Sequence, residues 1–91
     1  MQEALADYIL ALAHAREATH AAADRPLYDR YIADAGVLLA SAVRTPDDAS
    51  LVQALRTHER LRGMTWLTGP EYIAPERAWE RVVAVAPRFR P

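Results

Sequence analysis

The chain contains no cysteine and no lysine, only three glycines, and no long apolar run. Each absence closes off a class of function. Without cysteine there are no disulfides, no thiolate metal sites and no cysteine nucleophile. No apolar stretch approaches the ~18 residues of a membrane span, and the first residues lack the basic-then-apolar pattern of a secretion signal. The expectation is a cytoplasmic protein with no membrane contact. The glycines stand apart at positions 36, 63 and 69, so no glycine-rich phosphate loop exists. Ser41 and Ser50 fall in helical stretches without a nucleophile-elbow context. Nor is there an excess of charge. Eleven basic residues, all arginine, against twelve acidic ones give a net charge of −1, which argues against a dedicated nucleic-acid binder.

What is present is apolar and rich in alanine. Hydrophobic residues make up 52 % of the 91, enough for one small core and one domain over residues 1–91. A chain this short buries only roughly 60–65 % of its unfolded surface. Its stability alone is therefore expected to be marginal, and a partner that covers part of it would add to that stability.

The periodicity predicts an all-α fold, a small bundle of three to four helices with an extended C-terminal tail. Residues 3–23 contain neither Gly nor Pro. Leu5, Tyr8, Ile9, Leu12, Ala15 and Thr19 recur there at spacings of three and four, one stripe of an amphipathic helix. Asp24-Arg25-Pro26 reads as a break and restart, with Asp24 as a cap and Pro26 in a first turn. The second helix is expected over 26–43, its apolar face marked by Tyr28, Tyr31, Ile32, Ala35, Leu39 and Ala42, with Leu27 and Leu38 beside it. Ile32, Gly36 and Ala40 set small groups one turn apart and suggest a close helix crossing.

Thr45-Pro46-Asp47-Asp48 is the clearest local signal: a capping hydroxyl, a proline in the first turn, and two acidic groups at the positive end of the dipole. A third helix is expected over 46–62, stopped by Gly63 in a left-handed conformation. Pro75 opens a last helix over about 75–85, although Val82-Val83-Ala84-Val85 also suits a short strand.

Candidates for chemistry are few. His14 and Glu17 share a helical face, and His20 stands four residues before Asp24. Neither pair has a second copy that would complete a carboxylate-bundle metal site, so the chain is expected to hold no metal and no catalytic residue of its own. His58 lies near the apolar stripe of the third helix and is expected to be a hydrogen-bonded core residue. Glu71, Glu76 and Glu80, and the arginines at 56, 60 and 62, read as solvated faces whose charges interrupt one another. The aromatic residues carry more. Tyr28, Tyr31, Trp66, Tyr72, Trp79 and Phe89 are many for so small a core, and Trp, Tyr and Arg are enriched where proteins meet. Tyr28, Arg30, Trp66 and Trp79 are the expected partner interface.

One family resembles parts of this chain. Pro26-Leu27-Tyr28-Asp29-Arg30-Tyr31-Ile32 is similar to the Y-Y-x-x-[WY]-[LIV] entry to a long helix in the nitrile hydratase β subunit. Ala33 to Val43 matches that helix's small, apolar body, and Thr45-Pro46-Asp47-Asp48 matches the turn after it. Ala86-Pro87-Arg88-Phe89-Arg90-Pro91 looks like the segment before that subunit's β-barrel half. The resemblance implies the helical half of a split β subunit, or an accessory protein of that system. Its partners would be a β-barrel half and an α-type subunit carrying Co(III) or Fe(III), and the assembly would hydrate nitriles to amides as a lyase. The chain itself would bring no cofactor. In the family an arginine in a D-E-[FV]-R-type motif reaches the active site; that motif is missing here, and Arg16, closer to Tyr28 than the family's spacing, is the one arginine upstream of Arg25. The alternative reading, from composition and periodicity, is a stand-alone helical interaction module such as an adaptor, immunity protein or phage regulator, with no enzymatic activity.

Overall fold

A computed structural model describes residues 1–44, 49–64, 67 and 69–86. It is all-α, with four α-helices and no strand among the described residues. These are α1 (Gln2–Ala18), α2 (Arg25–Arg44), α3 (Ala49–Met64) and α4 (Ile73–Ala84). Short 3-10 turns, Ala22–Asp24 and Pro70–Tyr72, lead into α2 and α4.

Each helix buries one stripe whose members recur at spacings of three and four residues. On α1 the stripe is Leu5, Tyr8, Leu12 and Ala15; on α2 it is Tyr28, Tyr31, Ala35, Leu38 and Ala42. Helix α3 contributes Leu51, Leu55 and His58, and α4 contributes Pro75, Ala78, Trp79 and Val82. That spacing keeps one face of a 3.6-residue helix turned to its neighbours, as in a helical bundle. Helix α1 packs against both α2 and α4, whereas α3 packs on α2 and approaches α4 through its longer side chains.

Several local expectations are corrected. Helix α1 ends at Ala18, not near 23. Thr19 turns extended, at φ −67° and ψ 136°, and its hydroxyl accepts the Ala21 N–H at 3.3 Å. A hydroxyl that serves the backbone locally competes with the next helical turn, and the alanines beyond it offer little burial to reward continuing. The buried member of the Leu38-Leu39 pair is Leu38. Gly36 marks no close crossing: it is exposed, and nothing lies within 4 Å of where a Cβ would stand. Gly63 does not stop α3, which runs through it to Met64 without a positive φ. Arg62, tied to Glu59 and Tyr72, holds that last turn in place. Helix α4 starts at Ile73, so Pro75 is its third residue, where no intrahelical N–H is required. Val82 points inward and Val85 is exposed, a helical period through the stretch that also suited a strand. The expected cap at 45–48, Trp66 and the tail at 87–91 lie outside the described residues.

Candidate functional site

Two features sit around α3: a buried polar chain beneath it, and open hollows on both of its flanks. The chain joins three helices. Tyr8 of α1 lies 2.7 Å from Nε2 of His58 on α3, and His58 Nδ1 lies 2.6 Å from Oδ2 of Asp34 on α2. A carboxylate only accepts, so Nδ1 carries the proton; Nε2 then accepts the Tyr8 O–H. His58 has no exposure, and Asp34's side chain is 39 % exposed. The chain therefore starts in the core and ends at the surface. Burial lowers the pKa of His58, with Asp34 opposing that effect. That lowering favours the neutral ring, the form in which Nε2 accepts from Tyr8.

Aromatic rings enclose the imidazole. Tyr8, Tyr31 and Trp79 stand with ring centroids 5.4, 5.6 and 4.9 Å from it. Burial raises all four core phenols: Tyr8, Tyr72, and Tyr28 and Tyr31, each to about 12. None is poised to exchange a proton near neutral pH.

Trp79 leads from this core towards α3. Its indole N–H donates to the Glu59 carboxylate, and the Arg62 guanidinium lies 5.5 Å from the ring centroid. Arg62 also donates to Glu59 at 3.3 Å and to the Tyr72 hydroxyl at 3.2 Å. These contacts set α3 and α4 antiparallel, because the later position on α3 meets the earlier position near α4.

Between the two helices runs an open groove of about 840 Å³. Gln53, Arg56 and Arg60 line it from α3; Glu76, Glu80 and Val83 line it from α4; Glu59, Arg62 and Trp79 form its floor. On the opposite flank of α3 a smaller hollow of about 380 Å³ lies against α2, with Arg30, Asp34, Val37 and Leu61 among its walls.

The expected interface residues are not gathered in one place. Tyr28 and Trp79 are buried, at 0 and 2 % exposure, and so are not the projecting anchors their residue types suggested. The 3.6-residue period puts Tyr28 on the same stripe as Tyr31, and Trp79 is the largest side chain available to fill the space between α1, α3 and α4. The Tyr28 hydroxyl is buried with no hydrogen-bond partner among the described residues. Arg30 is exposed on the rim of the α2 hollow, separated by α3 from Trp79 in the groove floor. Arg16 pairs with Asp29, which fastens the end of α1 to the start of α2, away from the groove. His14 and His20 are exposed, and no group of three or more potential metal ligands occurs among the described residues. No helix among them is long and apolar enough to cross a membrane.

Two features were missed by reading the sequence. Asp34 drew no notice, since its partner His58 is 24 residues away. The pairs Arg56/Arg60 and Glu76/Glu80 did carry a signal, two single-sign strips at i,i+4 on successive helices, but that signal gains meaning only when the strips face each other. Comparison of the chain with family models, with curated proteins and with solved structures finds no match.

Proposed function

We propose that this chain is a helical protein-interaction module that receives another protein in the groove between α3 and α4. One observation carries the reading. The groove walls are oppositely charged, Arg56 and Arg60 against Glu76 and Glu80, all exposed, and none of the four forms an ion pair among the described residues. Closing them on each other would gain only ~0.2–1 kcal/mol per pair, too little to hold the groove shut. A partner with an acidic edge for α3 and a basic edge for α4 satisfies both walls at once, while its apolar ridge covers Val83.

The buried chain supports a scaffold role. Both ring nitrogens of His58 are occupied from within the protein, and the ring has no exposure. A general base must reach the proton it moves. Tyr8, His58 and Asp34 instead fix where α3 sits.

The nitrile hydratase reading is a narrower form of this proposal. The partners would then be an α-type subunit holding Co(III) or Fe(III) and a β-barrel half. Tyr28, Tyr31 and Ile32, which carry the resemblance, pack on this chain's own core, so self-packing accounts for them without a partner.

Photo-cross-linking in the producing cell tests the proposal. A cross-linking residue at position 60 or 80 is expected to give protein adducts, and one at position 10, exposed on α1, is not. Equal adducts at all three positions, or none at 60 and 80, would remove the groove as the docking surface. An adduct to a cysteine-rich metal subunit would select the narrower reading.

A further inference from the structure

The two charged walls are complements of each other, and this points to a particular occupant. Helices α3 and α4 are antiparallel across the groove, with Glu59 beside Trp79 and Arg62 beside Tyr72. Moving back along α3 from Glu59 therefore moves forward along α4 from Trp79. Arg56 then faces the level of Glu80, and Arg60 the level of Glu76. Consider a second copy related by a two-fold axis parallel to the helices. Rotation about that axis places its α3 over the first copy's α4 and preserves the level along the groove. Arg56 of each copy meets Glu80 of the other, and Arg60 meets Glu76. The perpendicular two-fold in the same plane would stack arginine on arginine and glutamate on glutamate, which is repulsive. Charge thus selects one symmetric arrangement, of the self-complementary kind that two-fold dimers require.

We infer that the groove face is a homodimer interface, with α3 of one copy against α4 of the other; this rests on the reading of the groove as a docking surface. At 1.5 Å per residue, α3 and α4, of 16 and 12 residues, are about 24 and 18 Å long. A face spanning both buries less than the ~1,600 Å² of a standard interface. The dimer is accordingly weak, and its charged rim makes it sensitive to salt.

Sedimentation of the full chain across a concentration series tests this. The wild type is expected to dimerise reversibly, more weakly in 500 mM salt than in 50 mM. The double variants Arg56→Glu/Arg60→Glu and Glu76→Arg/Glu80→Arg are each expected to associate at least about tenfold more weakly, since like charges then face each other. All four positions are exposed, so circular dichroism should show an intact helical fold. Mixing the two variants is the decisive arm. Glutamate on one α3 then meets arginine on the other α4, while the native pairs form on the second side, so a heterodimer of wild-type strength is expected. A monomeric wild type, or a dimer that neither variant weakens, overturns the inference, as does a mixture no better than its components. A monomeric wild type whose positions 60 and 80 still cross-link to a different protein in the cell overturns the second copy alone and leaves the docking surface standing. A monomer with no cross-links at those positions removes both.

Discussion

Helices α1 and α3 are secured by different means. Helix α1 lies between α2 and α4, and its stripe from Leu5 to Ala15 is apolar apart from the Tyr8 hydroxyl. Helix α3 packs chiefly on α2 and buries only Leu51, Leu55 and the His58 ring, the last among Tyr8, Tyr31 and Trp79; to these it adds several polar ties, from His58 to Tyr8 and Asp34, from Arg62 to Tyr72, and from Glu59 to Trp79. Apolar burial is non-directional and scales with area. Hydrogen bonds contribute little net stability but demand one geometry, and they cost more when one partner is removed. One side of the molecule is therefore held chiefly by quantity of contact, and the other by fewer buried contacts together with polar ties that fix its position. A helix held by position, with open hollows on both flanks, is suited to presenting a surface.

The largest expected effect breaks the apolar side. Leu12→Ala, at a fully buried site, should cost ~2–5 kcal/mol. In a domain of this size that lowers the melting temperature by roughly 10 °C or more, and helices should melt together by circular dichroism. His58→Phe attacks the polar side. It keeps a ring in the aromatic cage but leaves the Tyr8 hydroxyl without its acceptor, at a cost of ~1–3 kcal/mol. With Trp66 replaced by Phe so that Trp79 alone reports, the fluorescence of Trp79 should change while far-ultraviolet helicity stays close to wild type. If both substitutions melted the fold in the same way, the distinction between the two sides would fail.

Acid sharpens the comparison. His58 has a lower pKa folded than its unfolded value of 6.5, chiefly through burial. The unfolded state therefore binds the proton more readily. The stability from the neutral ring is fully present above pH 6.5 and is lost as pH falls through the folded value. Urea midpoints should drop between pH 7 and pH 5, and His58→Gln, which can still bond to both neighbours, should flatten that slope. An unchanged slope would remove His58 as its source.

The smallest effects are gains. Gly36→Ala meets open space on an exposed helical face and should stabilise by ~0.4–1 kcal/mol. Tyr28→Phe removes a buried hydroxyl that has no partner among the described residues. It should be neutral or slightly stabilising, by thermal melting, whereas truncation of a hydroxyl in use would destabilise.

The apolar half of this comparison was legible in the sequence, and the polar half only in part. The stripe Leu5-Tyr8-Leu12-Ala15-Thr19 repeats with the helical period, so the sequence order alone places it inward. Tyr31 and Ala35 continue the same pattern on α2. His58 was legible as a hydrogen-bonded core residue because it falls in register with Leu51 and Leu55. Its partners were not, since Tyr8 and Asp34 are 50 and 24 residues away, and no local pattern encodes a contact across helices. Trp79 misled for a related reason: residue type marks it equally as a core filler or an interface anchor, and only the gap between α1, α3 and α4 decides. Gly63 misled because a glycine stops a helix only where the chain beyond it turns back, and here Arg62 anchors the turn in helical form.

Native-state hydrogen exchange of the purified chain, resolved by residue, tests most directly whether α3 is a separately held element on an apolar scaffold of α1, α2 and α4. The account predicts that amides of α3 around Leu55 and His58 open at a lower free energy than those of α1 around Tyr8 and Leu12, and that the gap widens at pH 5. Equal opening free energies for the two helices, unchanged by acid, would contradict it.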